Sequence, residues 1–340
     1  MKEVRVQDAE GLVLAHDITE IVVGKRKGPA FKKGHIVTKD DIPRLLDVGK
    51  EHLYVFELDE DMLHENEAAF VLRDLCMGAH LTATEVSEGK VELVAETDGL
   101  LKIDRRRLYA INSLGEMMVA SRHGDTEVKK GDKIAGMRVI PLVIEKEKME
   151  RARAVAAGEA AIFHIRPFTH KKIGIVITGS EILNGRIEDS FTPALEKKLS
   201  VFDTEVTGRE KTGDDRLRIA EAIRDFAAHG ADIVLCTGGM SVDPDDRTPA
   251  AIRDAAPDVI TYGAPVLPGA MFMLAYTGEG IPVMGLPGCV MYAKRTIFDL
   301  VLPRILAGER MRAEDFYDYG EGGLCLNCDV CTYPNCGFGK

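Results

Sequence analysis

Between residues 171 and 310 the chain alternates between two hydrophobic periods. Ile173-Gly-Ile-Val-Ile177 is an unbroken apolar run of a length that suits a strand buried on both faces. Ile219, Ala220, Ile223, Phe226 and Ala227 recur at helical spacing, opened by Asp214-Asp215 and closed by Gly230, which suits a C′ position. Ile233-Val-Leu235 and Pro282-Val-Met284 are two further buried runs. A last amphipathic helix is expected over 293–306, with Pro303 placed to kink it. Buried strands separated by helices predict an α/β fold, a mostly parallel sheet with helices on both faces. Ligands of such sheets sit at the carboxyl ends of the strands.

The first 160 residues follow another pattern. A short helix is expected over 40–49 and a longer one over 59–75. From 81 to 144 the signal is β, in Lys90-Val-Glu-Leu-Val94, Leu100-Leu-Lys-Ile103, Met117-Met-Val-Ala120 and Met137-Arg-Val-Ile140. Residues 145–161, rich in Glu, Lys, Arg and Ala, read as a linking helix. The expected organisation is a β-rich α+β accessory domain over 1–160, an α/β domain over 171–310 and a Cys-rich tail over 311–340.

Composition narrows the partners. The formal net charge is −11 over 340 residues, where a dedicated nucleic-acid binder normally carries a basic surplus. No apolar run approaches a membrane span, and the first residues contain no apolar h-region, so a cytoplasmic protein is expected.

Two polar stretches carry candidate chemistry at the strand ends. The first is Thr178-Gly-Ser-Glu-Ile-Leu-Asn-Gly-Arg-Ile-Glu-Asp-Ser190. Gly179 and Gly185 let backbone approach a ligand, and Thr192-Pro193 reads as an N-cap with proline at N1. The loop thus delivers Glu181, Asp189 and Ser190 to a helix N-terminus that favours an anion, unless it is only a turn with solvated carboxylates. The second is Thr237-Gly-Gly-Met-Ser-Val-Asp-Pro-Asp-Asp-Arg-Thr-Pro249. Its glycine amides suit a phosphate or pyrophosphate. Thr248 reads as a second N-cap. Asp243, Asp245 and Asp246 beside bound phosphate would repel it unless a hard cation intervened, and Mg²⁺ answers that conflict.

In these residues the chain resembles the molybdopterin-binding domain shared by molybdopterin adenylyltransferases, molybdopterin molybdenumtransferases of the gephyrin E type and competence-damage-inducible protein A. The matching pieces are TGSEILNGRIEDS (178–190), TGDD (212–215), TGGMSVDPDDRTP (237–249), VLPG (266–269) and GLPG (285–288), in family order. DAEGLVLAHDITEIV (8–22) and FKKGHIV (31–37) are similar to the start of molybdenumtransferase-like proteins, the closest expected relatives. The resemblance implies that Gly179, Glu181, Gly185, Asp189 and Ser190 contact the pterin or its phosphate. It implies that Gly238, Gly239 and Ser241 cradle the anion, that Asp214 or Asp215 with Asp246 hold Mg²⁺, and that Pro287 and Gly288 form a third wall. Several positions depart from the family pattern. Phe191 and Cys289 stand where Asn is usual, Asp243 where Gly is, Val290 where Pro is, and Ala270 where a Lys is.

The implied activity is Mg²⁺-dependent insertion of molybdate into molybdopterin, bound as such or adenylylated, with release of AMP. The rivals are a non-catalytic molybdopterin carrier or sensor and a nucleotide pyrophosphatase of the competence-damage-inducible protein A type. A homo-oligomer and a recipient molybdoenzyme partner are expected, with no nucleic acid and no membrane.

Seven cysteines remain to be read. Cys236 lies in an apolar strand and reads as an inert thiol. Cys325, Cys328, Cys331 and Cys336 form C-x₂-C-x₂-C-x₄-C near the end of the chain. Four thiolates so close can wrap one Zn²⁺ or fill the corners of a [4Fe–4S] cluster; otherwise the tail carries free thiols. Two successive C-x₂-C steps resemble a ferredoxin run more than a zinc ribbon.

Overall fold

A computed structural model describes residues 2–22, 26–56 and 61–340. The chain forms two compact units. The first comprises residues 1–96, 103–122 and 130–164, and the second 97–102, 123–129 and 165–340. Two short segments of the β-rich region and the whole Cys-rich tail therefore fold with the second unit.

In the first unit, strand Lys2–Arg5 pairs antiparallel with His52–Val55, and Ile18–Val22 with Arg26–Phe31. Helix Asp41–Asp47 contributes Leu45 to a small core with Val6, Leu14, Ile18 and Leu53. The expected 59–75 helix starts later, and residues 57–60 lie outside the described ones. A strand, Met62–His64, comes first and pairs with Val143–Glu145; the helix then runs Glu65–Cys76. His64 sets that start, because its ring accepts from the Asn66 amide at 3.2 Å while Glu67 accepts from the His64 amide at 3.0 Å. A four-stranded antiparallel sheet follows, in the order Leu81–Ala83, Val91–Ala95, Lys133–Val139, Met117–Ser121.

Between its strands lies a helix that the β pattern misses, Arg105–Asn112, opened by Asp104 accepting from the Arg107 amide at 2.9 Å. The linking helix is shorter than expected, Lys146–Ala156. Arg107 ends it by donating to the Ala156 carbonyl at 2.9 Å.

The second unit is built on a six-stranded sheet. Its elements are β1 (Lys171–Ile177), α1 (Phe191–Leu199), β2 (Thr204–Lys211), α2 (Arg216–Ala228), β3 (Ile233–Thr237), α3 (Thr248–Ala255), β4 (Asp258–Tyr262), β5 (Met273–Tyr276), β6 (Pro282–Leu286) and α4 (Ile297–Leu306). The spatial order is β2-β1-β3-β6-β5-β4. The first four are parallel, and β5 and β4 add an antiparallel edge. The fold is the expected α/β sheet with helices on both faces. Alternate residues explain the layering. Ile173, Ile175 and Ile177 of β1 and Leu235 of β3 pack with α1 and α4, whereas Val176, Val234 and Cys236 pack with α2 and α3. Burial pushes the Cys236 thiol up, as its inert reading requires.

The last helix begins at Ile297 rather than 293, because Thr296 accepts from the Phe298 amide at 3.2 Å and Asp299 accepts from the Thr296 amide at 2.8 Å. It continues past Pro303 to Leu306. The tail is anchored to the core of this unit. Phe338 is buried, Cys325, Tyr333 and Cys336 pack against it, and the Cys325 amide donates to Leu267 O at 2.8 Å.

Candidate functional site

The sheet itself creates the crevice. After β1 the chain passes through 178–190 to α1 on one face; after β3 it passes through 238–247 to α3 on the other. β1 and β3 are adjacent and parallel. Chains leaving neighbouring strands toward opposite faces open a gap at their carboxyl ends, the general ligand position of open α/β sheets.

Hydrogen bonds across this edge tie the strand-end segments together. Thr178 Oγ1 donates to Thr237 O at 2.9 Å and lies 3.1 Å from Thr248 Oγ1. The Thr212 amide donates to Ile177 O at 3.1 Å. Asp214 Oδ2 accepts from the Ser180 amide at 2.8 Å, and Ser190 Oγ donates to Met291 Sδ at 3.1 Å. The loops after β1, β2, β3 and β6 are thereby joined into one rim.

The glycines are needed by the rim before any ligand arrives. Gly238 and Gly239 have φ of +85° and +56°. A Cβ on Gly238 would stand 2.7 Å from Thr178 O, and one on Gly239 2.7 Å from Thr248 Oγ1. Gly179 has φ +120°, with the Glu181 carboxylate folded back over it. Gly185, at φ +66°, and Gly288, outside the left-handed region, both face open space. Pro287 precedes the 3₁₀ turn Gly288–Met291 that follows β6. Among the described residues, no turn or loop carbonyl takes the amides of Gly239, Met240 or Ser241. Tyr262 holds this loop from behind, its hydroxyl donating to Met240 O at 3.2 Å and to Ser241 O at 3.4 Å.

The carboxylates have structural work at the rim. Asp189 Oδ1 accepts from the amides of Phe191 and Thr192, each at 3.0 Å, so α1 starts at Phe191 behind Ser190, two residues earlier than the Thr192 cap expected from sequence. Thr192 is buried instead, and Thr248 likewise lies inside α3 behind an Arg247 N-cap. Asp215 Oδ1 caps α2 through the Leu217 and Arg218 amides at 2.9 and 3.2 Å. Asp246 Oδ2 accepts from the Asp243 amide at 3.1 Å, closing a turn in the opposite direction to the Asp246 amide on Asp243 O. Asp189→Ala should lower the melting temperature by about 2–4 °C, the effect of losing roughly 1 kcal/mol of capping. A thermal scan monitored by circular dichroism reads it, and an unchanged midpoint would remove the capping role.

Among the described residues, no group of three or more His, Cys, Asp or Glu side chains stands at metal-binding spacing. Mg²⁺ does not demand one, since it takes one or two carboxylates and completes its shell with phosphate oxygens and water. Asp246, on the loop beside the glycine amides, suits that role. Asp214 belongs to the loop after β2, two strands across from β3. The four tail cysteines are spread rather than gathered: Cys325 and Cys336 are half-buried on the core, Cys328 and Cys331 exposed.

The departures from the family pattern have local reasons. Phe191 is buried in the core with Leu195 and Leu199, so its ring serves packing at the start of α1. Cys289 is half-buried, and burial pushes its thiol up. Sequence reading missed the buried threonines that end the strands, Thr178, Thr212 and Thr237, and gave Thr248 a capping role where it is buried behind them. Their signal was available, because a threonine follows or ends each of three adjacent strands immediately before a glycine or at a helix start.

Residues 174–307 match the family described as a probable molybdopterin binding domain, and residues 3–57 match a separate family, Domain of unknown function (DUF8806). A CinA-like protein of Mycobacterium sp. (strain MCS) is 33% identical over 81 residues, which is 24% of this chain and 19% of that protein. A CinA-like protein of Desulfosudis oleivorans is 38% identical over 82 residues, 24% of this chain and 20% of its own length. The match thus spans about a fifth of these relatives. The molybdopterin biosynthesis enzyme MoaB of Thermus thermophilus is a similar solved structure at 23% identity and TM-score 0.36, covering 41% of this chain and 98% of that one. Among the described residues, no helix is long and apolar enough to cross a membrane.

Proposed function

We propose that the second unit binds molybdopterin, or its adenylylated form, in the crevice between β1 and β3, and promotes insertion of molybdate with release of AMP. The observation that carries this reading is the rim itself, in which loops from four parallel strands are hydrogen-bonded to one another around a glycine loop. The family match over 174–307 supports the pterin as the ligand. The closeness to gephyrin E-type molybdenumtransferases rests on the 8–22 and 31–37 stretches alone.

Phosphate meets the amides of 239–241, which take a negative charge at short range without a side-chain cation. Asp246 would hold Mg²⁺, which would supply charge neutralisation beside a bound phosphate. The chain's own contribution is placement. Buried threonines fix the loop backbones, Tyr262 fixes the glycine loop, and Asp214 fixes the 178–190 loop, so reacting groups are held without reorganisation.

Asp246→Asn keeps an oxygen to accept from Asp243 while removing the charge that a cation requires. It should leave folding intact and reduce Mg²⁺-dependent AMP release from adenylylated molybdopterin by at least tenfold. A reconstituted assay with molybdate measures this. Wild-type protein that binds the ligand and releases no AMP would replace the enzyme by a carrier. The CinA-like similarity supports a second reading, hydrolysis of a nucleotide pyrophosphate. AMP release at the same rate without molybdate would select it.

A further inference from the structure

The tail 325–340 has no part in the rim, yet it is built onto the same unit with care. Its ends are fixed. Leu324 bridges Leu267, the Cys325 amide donates to Leu267 O at 2.8 Å, and the Gly339 amide donates to Gly322 O at 2.9 Å. The four-residue spacer between Cys331 and Cys336 contains the strongest anchor. Tyr333 packs on the core, donates its hydroxyl to Asp299 O at 3.2 Å and lies under the Arg295 guanidinium, 4.6 Å from the ring centre. Between these fixed points the segment 326–331 has no regular structure and presents Leu326 and Val330 to solvent at 78% and 76% exposure. Apolar side chains so exposed, on a loop with both ends pinned, indicate a loop awaiting something to close around.

Two cations border that loop. Lys294 Nζ rests on two carbonyl oxygens, those of Cys328 and Asp329, each at 2.8 Å. Arg295 interacts with the Cys331 side chain and is held by Asp299 at 3.0 Å. Lys198 also pairs with Asp299, at 2.9 Å, so this buried carboxylate sits between two cations. Glu127 also acts on Arg295, and Asp329 lies in the loop itself, so the surroundings are mixed in charge; Lys294 brings a cation that is set against carbonyls and not against a carboxylate. A site that collects four thiolates needs such compensation.

We infer that Cys325, Cys328, Cys331 and Cys336 ligate one [4Fe–4S] cluster, seated beside Lys294 and Arg295. Four thiolates on a doubly positive cluster core leave two net negative charges, and Lys294 offsets part of that charge. A cluster suits the arrangement better than one ion. A zinc site needs all four sulfurs about 2.3 Å from a single centre, whereas a cluster offers four separate iron corners. The four thiols are not gathered in the unloaded chain, so ligation requires the 326–331 loop to close and carry Cys328 and Cys331 toward Cys325 and Cys336. Ligation would also draw Leu326 and Val330 toward the protein. Lys294 and Arg295 follow the 3₁₀ turn Gly288–Met291 by only a few residues, so the cluster would lie one short segment from the rim.

The test uses the full chain, purified without oxygen and reconstituted with ferrous iron and sulfide. The expected product holds about four iron and four sulfide per chain, with a broad visible absorption that dithionite bleaches. Cys328→Ser and Cys331→Ser, both at exposed positions, should lose the cluster while keeping the melting temperature of the unloaded protein. Lys294→Gln should keep the iron but move the midpoint potential to a more negative value, because a nearby cation favours the reduced, more negative cluster. Zinc bound at one per chain with iron and sulfide refused would overturn the assignment. So would full iron content in the Cys328→Ser, Cys331→Ser double variant. An unchanged potential in Lys294→Gln would overturn the seat. None of these outcomes depends on pterin binding.

Discussion

Gly288→Leu is expected to leave the melting temperature unchanged and to weaken molybdopterin binding at least tenfold. Most rim glycines cannot give so clean a result. Gly238 and Gly239 have left-handed backbones and a Cβ on either would press on Thr178 or Thr248, so their substitution damages the loop itself. Gly288 differs, because it opens the 3₁₀ turn after β6 in an ordinary backbone conformation with nothing within 4 Å of a Cβ. A leucine there meets no protein atom at its first carbon and extends into the space assigned to the ligand. A tenfold loss corresponds to about 1.4 kcal/mol of binding energy. Anaerobic calorimetry beside a thermal scan reads both quantities. Equal affinity in the two proteins would remove Pro287 and Gly288 from the ligand wall.

Arg304→Met should have the largest effect on stability, about 3 kcal/mol. Arg304 is buried in α4 and donates to Glu309 at 2.7 Å, to Asp315 at 2.8 Å and to the Tyr319 hydroxyl at 3.5 Å. Removing one partner from a buried ionic network costs roughly 3–5 kcal/mol, because the charges left behind stay desolvated. The lower end applies here. Glu309 keeps Lys102 and Arg166, and Asp315 keeps the Arg312 amide. The same contacts explain why 97–102 belongs to the second unit, since Lys102 reaches Glu309 and Asp125. At two to four degrees per kilocalorie for a unit of this size, the midpoint should fall by about 6–12 °C. A fall of under 2 °C would contradict the network's role.

The α/β unit was legible because its strands are buried on both faces and therefore read as unbroken apolar runs, as in Ile173–Ile177 and Ile233–Leu235. The loops were legible because glycine pairs and clustered aspartates at strand ends have few other uses. Non-local contacts were not legible. Nothing in 97–102 or 123–129 signals that these segments leave the β-rich region, since the deciding partner, Glu309, is some two hundred residues away. The Arg105–Asn112 helix was hidden by three successive arginines that blur its apolar face. The α1 cap was misplaced by two residues because Asp189, and not Thr192, takes the first amides. In the tail, cysteine spacing was visible but the anchor was not, because Tyr333 acquires its meaning from Asp299 and Arg295.

Binding of a pterin phosphate at the carboxyl edge of β1 and β3 is tested most directly by hydrogen–deuterium exchange. Exchange would be followed on the full chain, without oxygen, with and without molybdopterin. Slowed exchange is expected in 178–190, 212–215, 237–248 and 287–291, including the amides of Gly239, Met240 and Ser241, with 1–96 unchanged. Protection confined to other segments, or none at saturating ligand, would contradict it.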